Sequence, residues 1–226
     1  MKAEFSVSLM CMDFLKMKEQ LEILNSRAEY LHVDIMDGHY CKNITLSPDL
    51  VRTFAKIATI PMDVHLMTTN PNDWIGVVAD AGAHSISVHA ETINTDAFRT
   101  LRGIRALGKK VGVVLNPATP LAEIEHYMEL IDMLTIMTVD VGYAGQAFIE
   151  QMLPKIELVR ELKEKRSYSY KIQIDGSCNE KTFKRLMNAG AEILVLGSSG
   201  LFNFNDDLNK AYDEMLLSYQ RAIEKP

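Results

Sequence analysis

The chain has 226 residues, of which 47% are hydrophobic and 24% charged, and a formal net charge of -6. That acidic balance argues against broad nucleic-acid or anionic-membrane binding, and no apolar run approaches the roughly 20 residues of a membrane span. Cys11, Cys41 and Cys178 form no C-x-x-C pair, and the opening Met-Lys-Ala-Glu-Phe-Ser lacks the basic and apolar regions of a signal peptide; together these predict reduced thiols in a cytoplasmic protein.

Along the chain, strand-like and helix-like segments alternate without a linker, a low-complexity tract or a charge block. Phe5 to Leu9 predicts a short strand. A helix capped by Asp13 and reaching Asn25 follows, because Leu15, Lys18-Glu19, Leu21 and Glu22 give a helical period. Tyr30 to Ile35 is the second strand, and Ser47-Pro48 starts a helix to about Lys56, with Ser as cap and Pro at the first helical position. Met62 to Leu66 is the third, followed by a helix from Asn70-Pro71 to Ala81 that Gly82 ends. Ser85 to His89 is the fourth, Thr95 to Leu107 a helix stopped by Gly108, and Lys110 to Leu115 the fifth strand. Thr119-Pro120 opens a fifth helix. Met133 to Thr138 is strand six, Met152 to Lys165 a helix, Lys171 to Ile174 strand seven, and Asn179 to Asn188 a helix stopped by Gly190. Ile193 to Leu196 is strand eight, and a last helix starts near Asp206.

Eight strand-helix units of roughly 28 residues each predict a single closed (β/α)8 barrel domain, of class α/β, spanning residues 1–226. An open doubly wound sheet is the runner-up. It is weakened because the first strand leads into Ser8-Leu-Met-Cys, with no G-x-G-x-x-G turn.

Within the second strand, alternate residues share a face, so His32, Asp34 and Met36 point together. An imidazole and a carboxylate so placed can grip a cation, although a capped strand end with a satisfied core histidine explains that stretch alone equally well. The pattern returns at Met62-Asp-Val-His65-Leu-Met67 and at Ile172-Gln-Ile-Asp175. Polar residues collect at the C-terminal strand ends, where barrels place their sites: Ser8, His32 and Asp34, His65, His89 and Glu91, Asn116, Asp140 and Asp175. Buried imidazoles and carboxylates need partners, so this ring is hard to explain as packing. His32, Asp34, His65 and Asp175 would hold one divalent transition metal by mixed N and O donors, with zinc, manganese, cobalt and iron all acceptable. His89 and Glu91 are expected to brace the site from outside. His39, His84 and His126 are expected at the surface.

Glycine turns follow the last three strands: Gly142-Tyr-Ala144-Gly145-Gln146, Asp175-Gly176-Ser177 and Gly197-Ser198-Ser199-Gly200. Each could merely serve a tight turn. Together, with a short helix start at Ser199-Gly-Leu-Phe202, they suit phosphate capture by backbone N–H groups, which requires no basic cluster. A metal and two carboxylates beside a phosphate grip suggest proton abstraction next to a carbonyl. If Asp34 and Asp175 work opposite faces of one carbon, the centre inverts, which is epimerisation without a redox cofactor. Met36, Met67 and Met137 are simplest as core, or else line the site with polarizable surface.

Ser8-Leu-Met-Cys-Met-Asp13, His32 through His39, His65-Leu-Met67, Asn116-Pro117, Met137-Thr-Val-Asp140, Asp175-Gly-Ser-Cys-Asn179 and Gly197 to Asn203 resemble the ribulose-phosphate 3-epimerase family, and within it the allulose-6-phosphate branch. The resemblance implies a ribulose-phosphate-binding barrel with a metal on His32, Asp34, His65 and Asp175, and Asp34 and Asp175 as the acid/base pair. It also implies Ser8 near the substrate, the glycine turns on phosphate and a homo-oligomer. Val7, Tyr40-Cys41-Lys42 and Val141 depart from the family's usual residues. Ala144 and Ser177-Cys178 stand where ribulose-phosphate enzymes tend to carry glycines, pointing to D-allulose 6-phosphate rather than D-ribulose 5-phosphate. Related barrels that decarboxylate sugar acids use D-x-K-x-x-D, and Asp34-Ile-Met-Asp37 lacks the lysine. A phosphate-binding barrel without catalysis is the remaining alternative.

Overall fold

The computed structural model describes residues 3–224. Eight parallel strands close into one barrel in chain order: β1 (Glu4–Ser8), β2 (Tyr30–Met36), β3 (Met62–Met67), β4 (Ser85–His89), β5 (Lys110–Leu115), β6 (Met133–Met137), β7 (Lys171–Asp175) and β8 (Ile193–Leu196). Around them lie α1 (Met17–Leu24), α2 (Pro48–Phe54), α3 (Asn72–Ala81), α4 (Ala97–Ala106), α5 (Met152–Arg166), α6 (Phe183–Ala189) and α7 (Leu208–Glu224). Among the described residues no helix is long and apolar enough to cross a membrane.

Local chemistry places the helix ends. The Ser47 hydroxyl accepts from the Leu50 N–H with Pro48 at the first turn, and α3 stops at Gly82, whose φ of 117° an L-residue with a side chain resists. Asp13 accepts from the Leu15 N–H as expected of a cap, but the residues it caps, Phe14–Lys16, form a 3-10 turn before α1 begins at Met17.

The fifth predicted helix is absent. Pro120 opens two 3-10 turns, Leu121–Ile124 and Met128–Leu130, whose bonds run from Tyr127 N to Ile124 O, Leu130 N to Tyr127 O and Ile131 N to Met128 O. Ile124, Tyr127, Met128 and Ile131 are buried, the spacing of one helical face, so the segment keeps an apolar stripe while its backbone bonds close from i to i+3.

Alternation divides the strand residues between two environments. Leu31, Val33, Ile35, Val64, Leu66, Val111, Val113, Ile172 and Ile174 join a continuous apolar layer with Leu21, Phe54, Val78, Ile104, Ile156, Phe183 and Tyr212 of the helices. Each fully buried large side chain there stabilises the fold by about 1.5–3 kcal/mol. The inward positions are largely polar instead, including Ser8, His32, Asp34, Asp63, His65, Ser85, Ser87, His89, Thr135 and Gln173, all buried. Gly112 of β5 makes this possible, since a Cβ there would collide with the Ser87 hydroxyl beside it. At the N-terminal end, Lys171 Nζ donates to both oxygens of Glu4, at 2.7 and 2.6 Å, and to Tyr30 at 3.2 Å.

Candidate active site

The register of β2 on β3 sets His32 opposite Asp63 and Asp34 opposite His65. Asp175, the last residue of β7, completes a group in which one donor atom from each of His32, Asp34, His65 and Asp175 lies within 4.8 Å of the others. His32 turns Nε2 inward, 3.2 Å from Asp34 Oδ1 and 3.5 Å from Asp175 Oδ2. His65 turns Nδ1 inward, 3.2 Å from Asp34 Oδ1 and 3.6 Å from Asp175 Oδ2, with 3.3 Å between the two nitrogens. Four ligands about 2.0–2.1 Å from a tetrahedral ion stand ~3.3–3.4 Å apart. The observed edges bracket that value, so the residues fit one divalent transition ion.

Neighbours hold each group in place. Asp63 lies 3.1 Å from His32 Nδ1 and accepts from Ser85, Ser87 and Gln173 at 2.9, 2.7 and 3.0 Å. Burial works to raise the Asp63 pKa, but His32, Gln173 and Ser87 together hold it below the usual carboxylate value. Burial likewise disfavours a charged His32, yet Asp34, Asp175 and Asp63 raise its pKa well above that of an ordinary imidazole. Asp34 and Asp175 both lie below the carboxylate range: burial opposes this, and His32 and His65 overcome it. The Ser8 hydroxyl donates to Asp34 Oδ2 at 2.8 Å, leaving Oδ1 to the cluster. On the far side of His65, Nε2 meets His89 Nε2 at 2.8 Å, and burial followed by the charge of His65 holds His89 well below the usual imidazole pKa.

A cleft opens above the cluster. Ser8, Asp34, Asp175, Met36, Met67 and Met137 border it, as do Gly142, Ala144, Gly145 and Gln146 after β6, Gly176 and Ser177 after β7, and Gly197, Ser198 and Ser199 after β8. His32 and His65 lie beneath it, fully buried. The candidate metal, acid/base, phosphate-turn and methionine residues thus meet at one end of the barrel. Met36 and Met67 pack with Cys41, and Met137 with Val114 and Val139. Ser198–Phe202 forms a single π turn where a short helix start was expected, and a Cβ on Gly200 would strike the Cys178 carbonyl. Ser177 adopts φ 50° and donates its hydroxyl to the Gln146 carbonyl, which ties the turn after β7 to that after β6.

Among the other expected polar residues, Asp140 is exposed at the rim, whereas Glu91 and Asn116 are half-buried and joined to each other and to Tyr40. His39, His84 and His126 are exposed. Of the atypical positions, Val7 lies in the outer apolar layer, Val141 packs against both methionine clusters, and Tyr40 donates to Glu91 Oε1 at 2.6 Å. Asp37 accepts from the N–H groups of His39, Tyr40 and Thr69 and from the Thr69 hydroxyl, fastening the loop after β2 to that after β3. Those donors outweigh its slight burial and bring its pKa down to about 2.

Sequence reasoning missed Asp63, although it sits two residues before His65 and strand alternation puts both on one face. Met10 and Cys11 also line the cleft and nothing in their spacing marks them, whereas Tyr143 and Cys178 line it from the turns after β6 and β7 that the sequence does single out.

The profile of the Ribulose-phosphate 3 epimerase family matches residues 4–202. The chain is 39% identical over 194 residues to the ribulose-phosphate 3-epimerase of Bacillus subtilis (strain 168), covering 85% of this chain and 89% of that one. It is 38% identical over 200 residues to the enzyme of that name from Aquifex aeolicus (strain VF5), covering 88% and 89%. The chloroplastic ribulose-5-phosphate-3-epimerase of Arabidopsis thaliana is 37% identical over 196 residues, covering 86% and 70%. Among solved structures, 3-hexulose-6-phosphate synthase from Salmonella typhimurium superposes with a TM-score of 0.71 at 15% identity, covering 97% and 99%, a likeness of fold alone. The chain belongs to the ribulose-phosphate 3-epimerase family, isomerases that act on sugar phosphates.

Proposed function

We propose that this protein is a metal-dependent 3-epimerase of D-ribulose 5-phosphate, forming D-xylulose 5-phosphate. The observation that carries the reading is the donor cluster itself, in which carboxylates from β2 and β7 converge with two imidazoles below a cleft rimmed by glycine turns. A divalent cation on His32, Asp34, His65 and Asp175 would supply positive charge to the substrate oxygens that become negative as the proton leaves.

The turns after β6, β7 and β8 bind the phosphate through backbone N–H groups and so set C3 between Asp34 and Asp175. One carboxylate takes the C3 proton, and the C–H electron pair moves into an enediolate with the C2 carbonyl. The other, entering the step as the carboxylic acid, delivers its proton to the opposite face, so the centre inverts with no net redox change. Ser8 orients Asp34 through its hydrogen bond. Met36, Met67 and Met137 give the intermediate an apolar, polarizable wall. The small-molecule partner is a sugar phosphate and the compartment the cytoplasm.

The curated relatives named above favour the pentose over the hexose that the turn residues suggested. One observation keeps D-allulose 6-phosphate, with D-fructose 6-phosphate as product, as the second reading. Ser177 places a side chain in a left-handed position and spends its hydroxyl on Gln146, a link that a glycine could not make. One carbon of substrate length is worth about 1–3 kcal/mol, so activity on both sugars is expected. The test is kcat/KM for the two sugars on one metal-loaded preparation, then after verified chelation and after metal return. Higher efficiency on ribulose 5-phosphate supports the first reading, and higher efficiency on allulose 6-phosphate replaces it with the second. Full activity without metal rejects the cation's role in both.

A further inference from the structure

His32 and His65 address the cluster through different nitrogens, Nε2 for one and Nδ1 for the other. A neutral imidazole has one N–H and one lone pair, so whatever touches the far nitrogen decides which nitrogen can bind a cation. For His32 the far nitrogen faces Asp63, an acceptor only, and the choice is settled. For His65 it faces another imidazole, His89, which could give or accept a proton.

We infer that His89 is a positioning residue that sets the tautomer of His65, and that Glu91 in turn sets the tautomer of His89. The inference rests on the metal reading above. His89 is fully buried, and its Nδ1 has no hydrogen-bond partner. Glu91 Oε1 faces that atom at 3.7 Å, too long for a hydrogen bond but close for a charge acting on an N–H dipole. Tyr40 and Asn116 both donate to this Glu91 oxygen, Thr119 approaches the other at 3.3 Å, and the Tyr40 ring lies 4.7 Å from the His89 ring. Lys155 Nζ donates to the Asn116 carbonyl at 2.7 Å and steadies the loop.

A carboxylate held there favours the His89 proton on Nδ1. Nε2 of His89 then accepts, Nε2 of His65 donates, and Nδ1 of His65 keeps its lone pair for the cation. The reverse order sets a lone pair of His89 against Glu91 and points an N–H of His65 into the cation site. Tyr40, one of the positions where this chain departs from the family's usual residue, contributes the hydroxyl that holds Glu91.

The test uses the full chain with 15N-labelled histidine. Long-range proton–nitrogen NMR reads the His65 tautomer, and zinc affinity is measured by competition with a chelator. His89→Phe removes the acceptor and should weaken zinc binding by about 10–100-fold, while His89→Gln, whose carbonyl can accept from His65, should restore most of it. Glu91→Gln is the second variant, should His89→Phe not fold: its amide can donate to His89 Nδ1, so it should shift His65 towards the Nδ1–H form and weaken zinc. Wild-type affinity with an unchanged His65 tautomer in the folded variants overturns the inference, as does an Nδ1–H form of His65 in zinc-loaded wild type. A wild-type protein that takes up no zinc defeats the metal reading itself, and is seen before any variant is compared.

Discussion

Asp34 and Asp175 offer the same carboxylate to one cluster from unlike surroundings. Asp34 lies inside β2, two residues short of the strand's end, is 2% exposed and holds the Ser8 hydroxyl. Asp175 ends β7 with its side chain 15% exposed at the cleft. Both border the cleft, but Asp34 offers it almost no surface while Asp175 is open enough for water to reach, so Asp175 is the acid better placed to trade protons with solvent.

The largest expected effect comes from removing either group. Asp34→Asn and Asp175→Asn should each lower kcat by about 10^2–10^4-fold, with metal content measured alongside because both are candidate ligands. An Asp175→Asn protein that keeps its metal and its wild-type kcat would remove Asp175 from the pair. Ser8→Ala touches only the sealed member. Losing one hydrogen bond to a charged group costs about 1.5–3 kcal/mol, so kcat should fall by about 10–100-fold if that bond is needed in the transition state. An unchanged kcat would show that Asp34 is oriented without Ser8.

Titration separates the carboxylates from the rings. Both aspartates sit below the usual range, whereas His32 is raised well above the usual imidazole value and must lose its proton to bind a cation. Metal affinity should therefore climb as pH rises through neutrality, by about tenfold per unit for each proton released, until the raised pKa is passed. Zinc isotherms that stay flat with pH would contradict this. The smallest effect is isotopic. In heavy water, the epimer protonated from Asp175 should gain deuterium faster, relative to turnover, than the one protonated from Asp34. Equal exchange in the two directions would mean that the seal on Asp34 does not govern its proton.

Much of this arrangement is legible in the sequence because a parallel barrel writes its strands as short β-branched runs and its site at their C-terminal ends. His32, Asp34 and His65 follow from alternation within two strands, and Asp175 from the turn that ends a third. At the Pro120 segment the start signal and the buried Ile124, Tyr127, Met128 and Ile131 carry a helical period, and the tighter i to i+3 bonding of the backbone is not written in that spacing. The link between Glu91 and Tyr40 spans 51 positions, and no local pattern encodes it.

The hub at Asp63 also bears on how the protein folds. Its four donors come from β2, β4 and β7, and Gln173 reaches it from 110 residues away. A slip of one residue in β4 would turn Ser85 and Ser87 to the outer face and leave the carboxylate short of partners. A partly closed barrel would bury this charge incompletely paired, at a cost of several kcal/mol, and gain nothing from stopping there. Barrel closure and assembly of the site are thereby energetically coupled.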